Sequence, residues 1–156
     1  MIQMVKKKLK NEKGFTLIEL LAVIVILGII AAIAVPSVMN IMNNSKKDAH
    51  VANAQQMVNS SKLYISQNNV KVDTTGQDIK LSDMMTAGVI DEIKDPSGKG
   101  YNTTKSLVNV KTKATNDSTA VYTVTLVSDI PTGGTETTYI PATDVKSLDK
   151  SLVTLP

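Results

Sequence analysis

Apolar and polar positions follow three different rhythms along this chain. From Phe15 to Val35 the run is apolar, with one ionised side chain inside it, Glu19. Residues 20–35 are apolar all round a helix, the pattern of a segment surrounded by lipid or by other helices. From Ser37 to about Asn68 the helical period continues but only one side is apolar. Val51, Ala54, Met57, Val58, Ser61, Tyr64 and Ile65 share a face at 100° per residue, and Gln55, Gln56, Asn59, Ser60 and Lys62 lie opposite. That stripe predicts packing on a sheet, and Ala49 and Ala52 on the other side suit close helix packing. Asn43, Asn44, Asn68 and Asn69 lower helix propensity and mark possible boundaries.

The period changes again in the last third. Leu107–Lys113 alternates, and Ala120–Ser128 is rich in β-formers (Val121, Tyr122, Val124, Leu126, Val127). Asn116-Asp117 predicts the turn of a hairpin between them. Pro131-Thr132-Gly133-Gly134 predicts a second turn, with a third strand over Thr137–Ile140. Residues 70–80 are polar and read as a loop. Leu81–Ala87 reads as a short helix closed by Gly88 in a left-handed cap. Residues 141–156 have no clear period and read as a tail over the sheet. The expected fold is α+β: one long N-terminal helix, half apolar and half amphipathic, packed on a three- or four-stranded antiparallel sheet.

The N-terminal segment carries the strongest chemical signal. Lys6, Lys7, Lys8, Lys10 and Lys13 precede Gly14, and the apolar run follows at once. Phe15 to Met39 is about 37 Å of helix at 1.5 Å per residue, enough to cross a hydrocarbon core of about 30 Å with some tilt. It is too long for the apolar region of a secretory signal, and Ala31-Ala32-Ile33-Ala34 is a loose cleavage match inside the run. The simplest reading is a single-pass anchor with its lysines in the cytoplasm. Glu19 goes beyond that reading, because a carboxylate in a membrane-length apolar helix needs a partner.

Lys13-Gly14-Phe15-Thr16-Leu17-Ile18-Glu19 resembles the class III signal of type IV pilins and pseudopilins. The resemblance implies a membrane peptidase that cuts between Gly14 and Phe15 on the cytoplasmic side and methylates the new amine of Phe15. Removal of residues 1–14 takes away five lysines and one glutamate, so the formal charge moves from +3 to −1. A freed amine at Phe15 and the carboxylate of Glu19 stand at i and i+4 on one helix face. They can pair within one chain or between neighbours. The resemblance implies pairing between neighbours, which sets the register of a polymer. Gly28 and Pro36 interrupt the apolar helix. A mild kink is the plain expectation, and the resemblance implies a stretch that unwinds in an assembled filament. Its further partners are other copies through their N-terminal helices, a prepilin peptidase/methyltransferase, an assembly ATPase and its membrane platform, and membrane lipid before assembly. The order of short helix, glycine, Val89-Ile90 and Asp95-Pro96-Ser97-Gly98-Lys99-Gly100-Tyr101 also resembles the connecting loop of many pilins.

Composition narrows the rest. The chain has 156 residues, room for one small domain beyond the helix. It has no cysteine, unlike many pilins of double-membraned bacteria, which by analogy suggests a single-membraned source. All seventeen basic residues are lysine, so bidentate phosphate readers are missing, and no specific nucleic acid is expected. No nucleophile–base motif is visible, and there is one histidine, His50, expected to be solvated and not a metal ligand. Asp91, Glu92 and Asp95 read as a solvated acidic turn in preference to a calcium site. The Asn-x-Ser/Thr triplets at Asn59, Asn102 and Asn116 receive no function. No enzyme activity, cofactor or metal is expected.

The reading is a structural subunit: leader 1–14, transmembrane and filament-core helix 15–39, exported domain 40–156. It is placed in the cytoplasmic membrane with its C-terminal domain outside, and then in an extracellular pilus. A pseudopilin of a type II-like secretion or competence DNA-uptake system shares every motif. A membrane-anchored adhesion domain that never polymerises is the third possibility.

Overall fold

The computed structural model describes residues 2–113, 119–129 and 134–156, and of residues 2–16 only the backbone. Helix α1 runs Ile2–Asn68, strand β1 Gln77–Lys80, helix α2 Leu81–Thr86, β2 Leu107–Thr112, β3 Ala120–Val127 and β4 Thr138–Asp144. Two short 3₁₀ turns, Val145–Ser147 and Lys150–Leu152, follow. The chain divides into two compact units, residues 1–42 and 43–156.

The first unit is the N-terminal part of α1. It is one uninterrupted helix, and both Gly28 and Pro36 lie inside it. Its apolar side chains are exposed in the single chain, from Val23 at 51% to Ile33 at 72%. Such a surface is stable only when something apolar covers it, and the helix is long and apolar enough to cross a membrane.

In the second unit the helix is amphipathic in the predicted sense. Ala54, Met57, Val58 and Ser61 are fully buried, while Gln55, Gln56, Asn59 and Lys62 are exposed. The helix stops at Asn68, where Asn69 adopts φ +50° and the Val70 amide bonds back to the Ile65 carbonyl at 3.1 Å. Asparagine tolerates this left-handed turn better than other side chains do, which makes it a serviceable helix stop.

The sheet has the order β1-β2-β3-β4, antiparallel throughout. Val108 lies opposite Val124, and Leu126 opposite Ile140. These residues, with Ile79 and Val110, face the α1 stripe in one core. The hairpin expected from Leu107–Lys113 and Ala120–Ser128 is present as β2–β3. Its turn at Asn116-Asp117 lies outside the described residues, as do Pro131, Thr132 and Gly133 of the second turn.

Two expectations about the sheet need correcting. Residues 70–80 are not all loop, because Gln77–Lys80 forms β1 at the sheet edge. Only Ile79 of the four is buried, so a two-residue period has almost nothing to register. The strand expected over Thr137–Ile140 does not end at Ile140. It continues to Asp144 through Pro141, which an edge strand tolerates because its missing N–H leaves no inner ladder bond unmade. That strand, β4, also carries one extra residue between the pairs Val124–Thr143 and Leu126–Ile140, and another between Leu126–Ile140 and Val127–Thr138. Bulges re-aim side chains, and here Tyr139 and Ile140, adjacent in sequence, are both fully buried.

The short helix α2 is tied down at both ends. Its first amides, Leu81 and Ser82, donate to the carbonyls of Ser106 and Thr103, both at 2.9 Å. At its far end Gly88 takes φ +67°, its amide bonding Met85 and that of Val89 bonding Met84, as the sequence predicts. The tail after β4 packs back onto the sheet: Val153 is buried and the Thr154 amide donates to the Tyr139 carbonyl at 3.0 Å.

Candidate functional site

Two places concentrate chemistry, one in each unit. The first is the N-terminal helix. Gly14 and Phe15 sit within its helical backbone. Glu19 is exposed, with Ile18 and Leu20 beside it at 61% and 66% exposure. Ala22 and Val23, one turn on, are also apolar, so the helix downstream offers the carboxylate no hydrogen-bond donor. In lipid or in a packed bundle an unpaired carboxylate is costly, so Glu19 calls for a partner outside that downstream turn. Gly28 is open: an added Cβ would meet nothing within 4 Å. Pro36 has no amide to bond one turn back, which leaves a locally weak rung in an otherwise regular helix. The five positions Gly14, Phe15, Glu19, Gly28 and Pro36 thus line one helix, and none of them belongs to the second place.

That second place is a buried polar cluster where α1, the 94–101 loop and β4 meet. His50 is fully buried, which overturns its expected solvation. Its Nδ1 lies 2.8 Å from the Tyr101 hydroxyl and its Nε2 3.0 Å from Ser97 Oγ. The Asn53 amide donates to the same Tyr101 oxygen at 2.9 Å and to the Lys94 carbonyl at 3.0 Å. Tyr139 lays its ring against the imidazole, centroids 4.1 Å apart, and donates its hydroxyl to Asp95 Oδ2 at 2.8 Å.

Asp95 also departs from the expected solvated turn. Its side chain is buried and accepts from the amides of Ser97 at 2.7 Å and Lys99 at 2.9 Å. These bonds fold Asp95-Pro96-Ser97-Gly98 into a tight turn and satisfy the carboxylate as a buried charge requires. Asp91 and Glu92 do stay exposed. Among the described residues no three His, Cys, Asp or Glu side chains group as a metal site.

Burial sets the electrostatics of the cluster. It pushes the His50 pKa below its ordinary 6.5, with Asp95 pulling the other way and Lys46 adding to the depression. Burial also raises the hydroxyls of Tyr101 and Tyr139, which stay protonated donors. The cluster's residues hydrogen-bond one another and no buried side-chain polar atom is left without a partner among the described residues. Its polar groups are spent on one another as in a structural clamp, and Asp95 and Tyr101 also line a cleft of about 460 Å³ beside it.

Sequence offered one cue for this cluster. His50 stands four residues before Ala54 and seven before Met57, and so continues the buried stripe by one turn. Of the three Asn-x-Ser/Thr triplets, Asn59 is exposed on α1. Asn102 uses its Oδ1 to accept from the Thr104 amide and hydroxyl and the Lys105 amide. Asn116 lies outside the described residues.

Comparison with known proteins bears on the first place only. Residues 9–35 match the family model for the prokaryotic N-terminal methylation motif. No curated protein and no solved structure matches the chain.

Proposed function

We propose, from the premise that the chain opens with the class III signal of type IV pilins and pseudopilins, that it is the structural subunit of a type IV pilus filament. The peptidase cuts after Gly14 and methylates Phe15, and residues 15–39 hold the chain in the cytoplasmic membrane with residues 40–156 outside. An assembly ATPase and its membrane platform then move subunits from lipid into an extracellular helical polymer. The observation that carries this reading is the coincidence of the matched motif with an apolar helix wholly exposed in the single chain.

The energetics follow from where that helix starts and ends. Lipid already covers its apolar surface in the membrane, so burying it among other copies gains little from the hydrophobic effect. Close packing and polar pairing decide whether and how helices associate there. Glu19 is the one ionised group in Leu17–Val35. Paired with a neighbour's Phe15 amine it fixes the axial register, because any slip by a turn strands a charge in an apolar bundle at a cost of about 3–5 kcal/mol. The open rung at Pro36 and the bare backbone at Gly28 are where the same helix extends under load.

Replacing Glu19 tests this directly. In the native cell, Glu19→Ala and Glu19→Gln chains should be trimmed and accumulate in the membrane without forming filaments. Normal filaments from either variant, seen by electron microscopy, would refute the register role. An anchored adhesion domain would tolerate both changes.

A further inference from the structure

We propose that His50 is a proton-operated latch: with a neutral imidazole it docks the 94–101 loop onto α1 and β4, and in mild acid it lets that loop go. The proposal does not rest on the filament reading, since every group in it belongs to residues 43–156.

The hydrogen-bond order of the cluster admits one proton on the ring. Among the described residues the Tyr101 hydroxyl oxygen has two hydrogen-bond neighbours, Asn53 and His50. The Asn53 amide nitrogen can only donate. The Tyr101 proton therefore points to His50 Nδ1, which has to be the bare nitrogen. The ring proton is then on Nε2 and goes to Ser97 Oγ at 3.0 Å. On the same loop Asp95 accepts from the Tyr139 hydroxyl at 2.8 Å. One directed chain thus runs from Asn53 on the helix, through Tyr101 and the imidazole, to Ser97 on the loop, and the Tyr139 bond to Asp95 ties the same loop to the strand.

A second proton on the imidazole has no place in this chain. On Nδ1 it would point at a hydroxyl that is already donating there. Tyr101 would have to turn its own proton away from His50, and among the described residues its hydroxyl bonds only His50 and Asn53, of which Asn53 can only donate. The new charge would also sit in a fully buried site. The charged and titratable groups that face it are Lys46 on its own helix, Asp95 and Tyr101 on the loop, and Tyr139 on β4. Of these Asp95 alone favours the proton, across 3.6 Å, and burial outweighs it.

The sign follows from linkage. A base whose docked pKa lies below its free value of 6.5 leaves the docked state at full strength above 6.5. Below that His50 takes up a proton when the loop is released that it refuses when the loop is docked. The released population then rises about tenfold per pH unit until the docked imidazole itself titrates.

The test uses the full chain in detergent micelles with ¹⁵N-labelled imidazole. There is one histidine, so the ring signals need no assignment. At about pH 7.5 the bare nitrogen should be Nδ1, and the titration midpoint should lie below 6.5. Hydrogen exchange read by mass spectrometry, corrected for intrinsic rates, should show residues 94–101 losing protection over the same window while β2 and β3 stay protected. His50→Gln should flatten that response. A protonated Nδ1 at neutral pH, a midpoint at or above 6.5, loop protection that does not change, or loss of loop and sheet together would each overturn the latch. So would a Gln variant with the wild-type response. Should that variant not fold, the labelled wild-type chain decides by itself.

Discussion

Removing one oxygen from Tyr139 separates hydrogen bonding from packing in the clamp. Tyr139→Phe keeps the fully buried ring and its contact with His50, centroids 4.1 Å apart. It deletes the 2.8 Å bond to Asp95 Oδ2 and leaves that buried carboxylate with the amides of Ser97 and Lys99. A hydrogen bond to a charged group contributes about 1.5–3 kcal/mol, and the deleted oxygen leaves too little space to add a cavity cost. For a unit the size of Asn43–Pro156 that is a fall in Tm of about 6–12 °C. Near-UV circular dichroism of the full chain in micelles reads the melt through its tyrosines. Tyr122→Phe is the control: its ring stays under Lys62, 5.1 Å from ring centroid to ammonium, and stability should move by less than about 0.5 kcal/mol. Equal shifts in the two variants, or a shift below about 2 °C for Tyr139→Phe, would refute the idea that Asp95 depends on this hydroxyl.

Gly88→Ala should destabilise by about 1–2 kcal/mol, because the position needs φ +67° although space for the methyl is free; urea unfolding measures it. Gly28→Ala should act the other way on its segment, strengthening the helix by about 1 kcal/mol, since the added methyl meets nothing. If extension of the filament uses that weak point, single-filament stretching should show stiffer fibres from this variant. Met57→Ala, at a fully buried position on the α1 stripe, should cost about 2–5 kcal/mol in the same urea assay.

The elements legible in the sequence are those with many repeats of one period. The α1 stripe from Val51 to Ile65 spans four turns, so its seven apolar or small residues outvote single exceptions, and all of them are buried or half-buried. The β2–β3 pair is readable for the same reason. Strand β1 is not, because four residues with one inward side chain carry no period. The path of β4 past Pro141 depends on two bulges, and nothing in a local pattern reports an inserted residue. The polar cluster is the least visible. His50 and Tyr101 are 51 residues apart, and Asp95 and Tyr139 are 44 apart. Polar side chains of these types are seldom fully buried, so their burial follows only once α1, the loop and β4 are brought together. The motif at Lys13–Glu19 is different in kind: its meaning is local, and no fold is needed to read it.

Mass spectrometry of the N-terminus of the chain taken from its native membrane or surface tests the central claim most directly. Processing predicts a first peptide that begins at Phe15 and carries one methyl group on its amine. A peptide that still contains the lysines before Gly14, or one that begins near Ala34, would contradict the account at its root.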